Sequence, residues 1–338
     1  MEIISKYIPA RSLRCLAALA FCVLALISCT KKNLPKHLLP VPTTAMMLIG
    51  KKKMDLKAPI FIRIFKLESE LEIWKRRKDG RFYHFKTYPI CNWSGNLGPK
   101  RKKGDKQAPE GFYTVNEEQM NPDSDFHLSF NIGYPNTYDS AHKRTGNFLM
   151  VHGRCSSVGC YAMTDPLMEE IFALIREAFN GGQKTVHVHA FPFQMNQVNM
   201  HRNAKNPNYS FWKRLKLGYD YFELTRLLPV VEVCEKQYYV NVEWDGTKLN
   251  ASGLCPEFTR PQLHLFVPTA GEEVLVSHRI VVPGIRKRIF RTKKLNPTKT
   301  NAFSKIHTFP QITTVNVNLV SRSDHIAAFI NLTLPTAP

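Results

Sequence analysis

Residues 151–163 read VHGRCSSVGCYAM, and this stretch predicts both a local structure and a chemistry. The apolar run that ends at His152 is typical of a buried strand, which would hold the imidazole on a rigid support. A cysteine attacks as its thiolate, so a catalytic cysteine needs a nearby imidazole to accept its proton. Cys160 follows a glycine, which lets the backbone approach another group closely. We therefore predict Cys160 as the nucleophile and His152 as its base. Alkylation of this thiol should then persist below the pH at which an ordinary cysteine reacts.

The backbone around the nucleophile offers candidate groups for stabilising negative charge. As the chain turns after Cys160, the amides of Gly159, Cys160 and Tyr161 are predicted to form an oxyanion hole. Cys155 is the competing nucleophile, three positions after His152. It has no preceding glycine, and we interpret it as a structural cysteine and a candidate for a disulfide. A purely structural Cys–His pair is the alternative to catalysis.

Local signals around this stretch predict several elements. Asp165 can cap a helix in which Pro166 occupies the first turn, and the glycines at 181–182 would end it. Residues 60–65 alternate isoleucine with Phe, Arg and Phe, which predicts a strand buried on both faces. Residues 78–80 read KDG between two apolar segments and predict a β-hairpin.

The sequence offers little support for a metal or a cofactor. His187 and His189 lie two apart on a predicted strand at 184–191, so a metal pair is conceivable there. No third ligand is placed by sequence, and packing or hydrogen-bonded histidines are the favoured interpretation. The chain lacks a C-x-x-C motif and a spaced Cys/His quartet, and residues 98–104 lack the Gly-Lys-Ser/Thr of a phosphate loop. We predict no metal and no cofactor.

The amino terminus predicts export. Basic residues precede an apolar stretch over residues 13–27, which is typical of a secretory signal peptide. Residues 26–29 read LISC and resemble a bacterial lipobox, so we expect lipidation of Cys29 and a membrane anchor; ordinary cleavage and an uncleaved anchor are the alternatives. Five cysteines remain in the exported body, and since five is odd, one thiol stays free or pairs with another molecule. They are Cys91, Cys155, Cys160, Cys234 and Cys255.

The net charge of the chain suggests the kind of partner that it binds. The 338 residues carry a formal net charge of +20, which favours an anionic partner such as nucleic acid, a membrane face or a carboxylate-rich polymer. Export removes most of the case for nucleic acid.

Residues 1–29 are the predicted signal peptide, and residues 30–56 are a predicted flexible linker. Residues 246–338 contain twelve Lys and Arg against four Asp and Glu, and we interpret them as a basic extension.

The string His-Gly followed by Ser-x-Gly-Cys resembles the signature of the YkuD-type L,D-transpeptidases, and specifically their YafK-like branch. The resemblance covers roughly residues 57–240. Other segments that match this family are Gly95–Lys100, Gly104-Asp105, Ala108–Tyr113, Asn131–Asn136 and His142–Gly146.

This resemblance implies a reaction and roles for further residues. Cys160 would attack a carbonyl of a peptidoglycan stem peptide and form a thioester, which an amine or water then resolves. The Gly153 carbonyl would orient the imidazole as the third member of a triad. The residues carried over to the substrate pocket are Ser157, Tyr134, His142 and Arg144.

The resemblance also implies a fold, a location and partners. We expect a mainly β, α+β fold over residues 57–245, with a curved sheet or sandwich and a helix after the catalytic cysteine. The expected location is the periplasm, and the expected partners are peptidoglycan and a murein-attached outer-membrane protein.

Two positions depart from the pattern. Many family members have histidine and arginine where this chain has Val158 and Ala162. Peptide transfer, hydrolysis that releases wall-bound lipoprotein, and non-catalytic wall binding therefore all stay open.

Overall fold

The computed structural model describes residues 34–246, 249–261 and 265–266. The chain divides into two compact units, residues 1–39 and 40–338. In the first unit the described residues contain one turn of 3-10 helix, Lys36–Leu38. All elements that follow belong to the second unit.

The second unit is mostly β with a few helices, as expected. Its described helices are α1 (Thr43–Lys51), α2 (Thr137–Ala141), α3 (Asp165–Asn180), α4 (Gln197–Arg202) and α5 (Tyr209–Thr225), with a 3-10 turn at Glu117–Gln119. Its described strands are β1 (Ile60–Phe65), β2 (Glu70–Arg76), β3 (Phe82–Pro89), β4 (Asn92–Trp93), β5 (Gly111–Val115), β6 (Met120–Asn121), β7 (Ser129–Asn131), β8 (Met150–His152), β9 (Tyr161–Ala162), β10 (Val186–Phe191), β11 (Val231–Cys234), β12 (Gln237–Val240), β13 (Glu243–Trp244) and β14 (Phe258–Thr259).

Two five-stranded sheets hold ten of these strands, and β11–β12 and β13–β14 form two-stranded sheets. The first sheet has the order β3-β2-β1-β10-β5, and the second has the order β4-β9-β8-β7-β6. Each sheet contains one parallel pair, β1 with β10 and β8 with β9. The main apolar core combines residues of both sheets with the apolar face of α3, including Ile62, Val151 and Ile171. The helix predicted after Cys160 thus packs into the same core as the strand that carries His152.

Strand β1 is buried on both faces, which confirms the prediction for residues 60–65. Its isoleucines belong to the main core, whereas Phe61 and Phe65 pack on the opposite side of the sheet with residues of α5. Arg63 shares that second face. Its guanidinium makes ion pairs of 2.7 Å with Glu72 and 2.6 Å with Glu223, so the buried positive charge has two carboxylate partners.

A buried ion pair anchors the segment that leads into β5. The Lys66 ammonium donates to Glu110 at 3.0 Å and to the carbonyl oxygens of Asn96, Gly98 and Ala108 at 2.7–3.0 Å. The Glu110 carboxylate also accepts from the Gly98 amide at 2.7 Å and from the Trp212 indole at 2.8 Å. One carboxylate therefore links the end of β1, the preceding loop and α5.

The predicted hairpin and helix are confirmed, with one shift at the helix start. Strands β2 and β3 pair around Gly80, whose φ is +81°. Helix α3 has Thr164 at its N-cap, and the Asp165 carboxylate accepts from the Arg154 amide at 2.7 Å instead of capping the helix. Asp165 therefore ties the loop after His152 to the start of α3.

The predicted flexible linker needs correction. Residues 43–51 form α1, and Ala45 and Ile49 are buried in the main core at 1% and 4% exposure. These residues lie four apart, so they share one helical face, and burial of that face holds the helix against the domain. The ordered domain thus begins near Pro40 rather than at residue 57.

The predicted end of the domain at residue 245 also needs correction. A disulfide joins Cys234 to Cys255, and β14 pairs with β13 across the proposed boundary. A chain ending at 245 would lose both links. The predicted signal peptide with Cys29 and the part of the predicted extension beyond residue 266 lie outside the described residues. Within the described part, no helix has the length and apolar character to cross a membrane.

Candidate active site

Strands β8 and β9 bring the two predicted catalytic side chains to one face of the second sheet. In their parallel register His152 lies beside Ala162 and Val151 beside Tyr161. Side chains two residues apart on a strand point the same way, so Cys160 shares a face with Ala162 and His152. The Met150 amide donates to the Cys160 Sγ at 3.4 Å, which fixes the sulfur next to β8.

The His152 imidazole is held in one orientation. It is 4% exposed, and its Nδ1 lies 2.6 Å from the Gly153 carbonyl oxygen. A carbonyl only accepts, so Nδ1 carries the proton and Nε2 is left as the basic nitrogen. The Phe126 ring packs against the imidazole with centroids 4.7 Å apart. Burial lowers the pKa of His152, and the Gly153 carbonyl acts in the opposite direction.

Cys160 is the one free cysteine among the described residues, since the other four described cysteines form two disulfides. Burial raises the pKa of its thiol, while the Met150 amide and the Lys100 ammonium act to lower it. A raised thiol pKa and a lowered imidazole pKa leave both groups neutral near pH 7. These directions favour a neutral thiol with His152 as its general base, and they act against the expected reactivity of the thiol at unusually low pH.

These pKa directions predict how alkylation of Cys160 depends on pH. The rate with iodoacetamide should become half-maximal above about pH 8.5, the value for an ordinary cysteine. Peptide mapping of the alkylated chain would assign the label to Cys160, and the Cys160→Ala variant would give the background. A plateau of reactivity beginning below pH 7 would instead indicate a resting thiolate–imidazolium pair.

A disulfide and a glycine fix the loop between the two catalytic residues. Cys155 is bonded to Cys91, whose amide donates to the Ala162 carbonyl at 2.8 Å. The Gly153 amide donates to the Phe126 carbonyl at 3.0 Å. A Cβ at Gly153 would lie 2.9 Å from the His127 Cβ, so only glycine fits this position. The competing nucleophile Cys155 is thus a structural disulfide partner.

The predicted oxyanion hole is not made of free amides. The Cys160 amide donates to the Ser157 hydroxyl at 3.1 Å, and that hydroxyl donates to the Cys160 carbonyl at 2.6 Å. The Gly159 amide donates to the Ser94 hydroxyl, and Tyr161 of β9 pairs with Trp93 of β4. Ser157 therefore braces the turn at Cys160 rather than simply lining a pocket.

The other predicted substrate-binding residues make polar contacts with the protein itself. Arg144 forms a 2.7 Å ion pair with the buried Asp139. The His142 Nε2 lies 2.8 Å from the Lys236 carbonyl oxygen, and the Tyr134 hydroxyl donates to backbone carbonyls at 3.4 and 3.5 Å. These contacts occupy polar groups of all three side chains, and their role in binding substrate stays a prediction.

Lys100 is a site residue that the sequence reasoning did not select. Its side chain is 5% exposed, and its ammonium contacts Asp105 at 2.5 Å and the Lys102 carbonyl at 3.0 Å. It is a positive charge that favours the Cys160 thiolate. Lys100 ends the Gly95–Lys100 segment that resembles the family. Nothing in the sequence indicates that its charge acts on the Cys160 thiol.

The two histidines of β10 lie on a different face from Cys160. His189 is 1% exposed and packs edge-on against Phe61 and Phe112, with centroids 4.6 and 4.7 Å apart. His187 and His189 line a cavity of about 350 Å³ together with residues of α2, β11 and β12. Within the described ranges, no cluster of three His, Cys, Asp or Glu side chains could hold a metal ion.

One family model and two curated relatives match this chain. The family model "L,D-transpeptidase catalytic domain" (YkuD) matches residues 70–188. The curated "Putative L,D-transpeptidase YafK" of Escherichia coli K12 is 43% identical over 190 residues, which cover 56% of this chain and 77% of that protein. The protein of the same name from Escherichia coli O157:H7 has the same identity and coverage.

Two solved structures are more distant. The helical cell shape determining protein Pgp2 from Campylobacter jejuni is 20% identical, covers 43% of this chain and 54% of its own, and has a TM-score of 0.31. Bd1075 from Bdellovibrio bacteriovorus is 17% identical to this chain and has a TM-score of 0.28. The match covers 57% of this chain and 64% of Bd1075. This chain thus spans between half and two thirds of those chains, and TM-scores this low do not bear on function.

Proposed function

The chain belongs to the YkuD family of L,D-transpeptidase catalytic domains, and on that premise we propose that it is a peptidoglycan-modifying enzyme that forms a thioester on Cys160. One observation carries the proposal. The one free thiol among the described cysteines lies on the same sheet face as an imidazole whose Nδ1 is tied to the Gly153 carbonyl. That tie leaves Nε2 to accept the thiol proton.

The proposed reaction begins with proton transfer from the Cys160 thiol to the His152 Nε2. The sulfur attacks the carbonyl at the L-centre of the third, diamino residue of a stem peptide, and the C–N bond to D-alanine breaks. The imidazolium returns its proton to the leaving amine, and an acyl thioester stays on Cys160. An amine or water then attacks the thioester with His152 again as the base, and the thiol is regenerated.

Negative charge on the attacked oxygen needs donors in the same loop. We propose the amides of Gly159, Cys160 and Tyr161, as the family resemblance implies. Because the Gly159 and Cys160 amides donate to serine hydroxyls, the bound substrate oxygen would take the place of the Ser94 and Ser157 hydroxyls. Each serine oxygen would leave by a change of χ1 rotamer, and Ser157 would then give up its brace on the turn at Cys160.

Recognition of the stem peptide is expected to differ from that in many family members. Ala162 is fully buried in β9, and Val158 is 71% exposed, so neither supplies the charged side chain found at these positions elsewhere. The direction of reaction therefore stays open, and hydrolysis, including release of a wall-bound lipoprotein, is a second candidate beside transfer. Non-catalytic wall binding is less well supported, since it gives no role to a free thiol beside a base.

Location and partners follow from the sequence and from the proposed substrate. We propose a periplasmic enzyme, anchored through lipidated Cys29, that acts on murein. The net charge of +20 supports binding to a polymer rich in carboxylates.

Incubation of the enzyme with purified cell wall, followed by muropeptide separation, tests the function. We expect new cross-links with loss of D-alanine if the thioester passes to an amine, or shortened stems and released protein if it passes to water. The Cys160→Ala protein is the control. A muropeptide profile that is identical with both proteins would refute the proposal.

A further inference from the structure

Ser129 lies directly across from His152 on the strand that flanks the catalytic face. In the antiparallel register of β7 and β8, Ser129 pairs with His152 and Phe130 with Val151. Phe130 and Val151 point into the main core, so Ser129 and His152 point to the opposite face. The Cβ atoms of such pairs lie about 4.5–5.5 Å apart, so Ser129 and His152 are direct cross-strand neighbours on this face.

The Ser129 hydroxyl is buried and has no hydrogen-bond partner among the described residues. The residue is 1% exposed, and its Oγ is one of the few buried polar atoms with no assigned bond. A buried hydroxyl without a partner destabilises a fold, because it loses its bonds to water. Alanine would serve packing better at this position, so the hydroxyl calls for another explanation.

The neighbours of the imidazole leave one side open to this hydroxyl. The His152 Nδ1 is engaged by the Gly153 carbonyl, and the Phe126 ring packs against the imidazole. Cys160 lies on the β9 side of His152, and Ser129 lies on the β7 side. Uptake of the thiol proton places a positive charge on a ring that is largely removed from water.

We propose that Ser129 is a positioning residue for the catalytic base, turning its hydroxyl oxygen toward the His152 ring when the ring becomes an imidazolium. The step is a single proton transfer, in which the S–H bond of Cys160 breaks and an N–H bond at Nε2 forms. The hydroxyl rotates, and neither gains nor loses a proton. The inference rests on the proposed function of His152 as the base. It adds Ser129 as a residue that stabilises the His152 imidazolium.

The test compares Ser129→Ala, Ser129→Thr and a control, Ser140→Ala, which removes an exposed hydroxyl from α2. The full chain is assayed for thermal unfolding, for alkylation of Cys160 at pH 7 and for turnover of cell wall. For Ser129→Ala we expect unchanged or higher stability, with alkylation and turnover both reduced about tenfold, which corresponds to about one pKa unit. Ser129→Thr keeps the hydroxyl and should stay near the wild-type rates, as should Ser140→Ala.

The outcomes separate this inference from the proposed function. Unchanged alkylation in folded Ser129→Ala would overturn the inference, and so would a loss of rate that merely follows a loss of stability. Reduced alkylation in Ser129→Ala supports it even where the wild-type protein shows no turnover of cell wall. The latter result would count against the proposed function alone.

Discussion

Replacing Cys160 by alanine is expected to reduce turnover of peptidoglycan stem peptides by at least about 10³-fold, because loss of a nucleophile leaves only binding and positioning. Alanine removes one sulfur atom from a partly exposed site, so folding should be unaffected. The measurement is the rate of muropeptide conversion by purified protein, with thermal unfolding followed in parallel.

Cys160→Ser is the matched control for shape. A hydroxyl at this position is far less acidic than a thiol, so His152 alone should not activate it well, and turnover should stay close to that of the alanine variant. Turnover by Cys160→Ala within tenfold of the wild-type rate would show that the chemistry lies elsewhere.

Replacing Glu110 by alanine is expected to destabilise the domain by about 3–5 kcal/mol, the typical result of removing one partner of a buried ion pair. The variant leaves the Lys66 ammonium, which is fully buried, without its counter-charge. It also leaves the Gly98 amide and the Trp212 indole without an acceptor. The measurement is the free energy of unfolding in urea.

The control for this variant is Glu118→Ala, the same substitution at an exposed position of a 3-10 turn. Exposed substitutions of this kind usually change stability by less than about 0.5 kcal/mol. Glu110 also fixes the loop that leads toward Lys100, so unfolding of this region should remove activity. We expect the activity of the variant to fall in proportion to the unfolded fraction. A destabilisation below about 1 kcal/mol would mean that water or another group replaces the carboxylate.

Elements with local signals could be predicted from the sequence. The hairpin follows from an Asp-Gly turn between apolar segments, and α3 follows from a proline in its first turn and glycines at its end. The double burial of β1 follows from an apolar run interrupted only by Arg63. In each case the deciding interactions lie within a few residues of one another.

Features that depend on distant contacts could not be predicted. Helix α1 is held by burial of Ala45 and Ile49 against strands far along the chain, and composition alone suggested a linker. The pairing of Cys234 with Cys255 moved the domain boundary, and spacing does not determine pairing.

The residues of the site also divide into those with local signals and those placed by distant contacts. Adjacent residues, the His152 imidazole and the Gly153 carbonyl, could be assigned from one motif. The buried partner of Arg144 is Asp139, and a sequence does not show that this charge is already neutralised. Lys100 and Ser129 reach the site only through the packing of separate loops and strands.

The most direct test of a Cys160 thioester is the intact mass of the enzyme after rapid acid quenching with a tetrapeptide stem. We predict a mass increase equal to the mass of the tetrapeptide minus that of the released D-alanine, which is the mass of the tripeptide less one water. The adduct should map to the peptide that contains Cys160, disappear on treatment with hydroxylamine and be absent from Cys160→Ala. Product formation without any adduct on Cys160, or an adduct that persists in Cys160→Ala, would contradict the thioester mechanism.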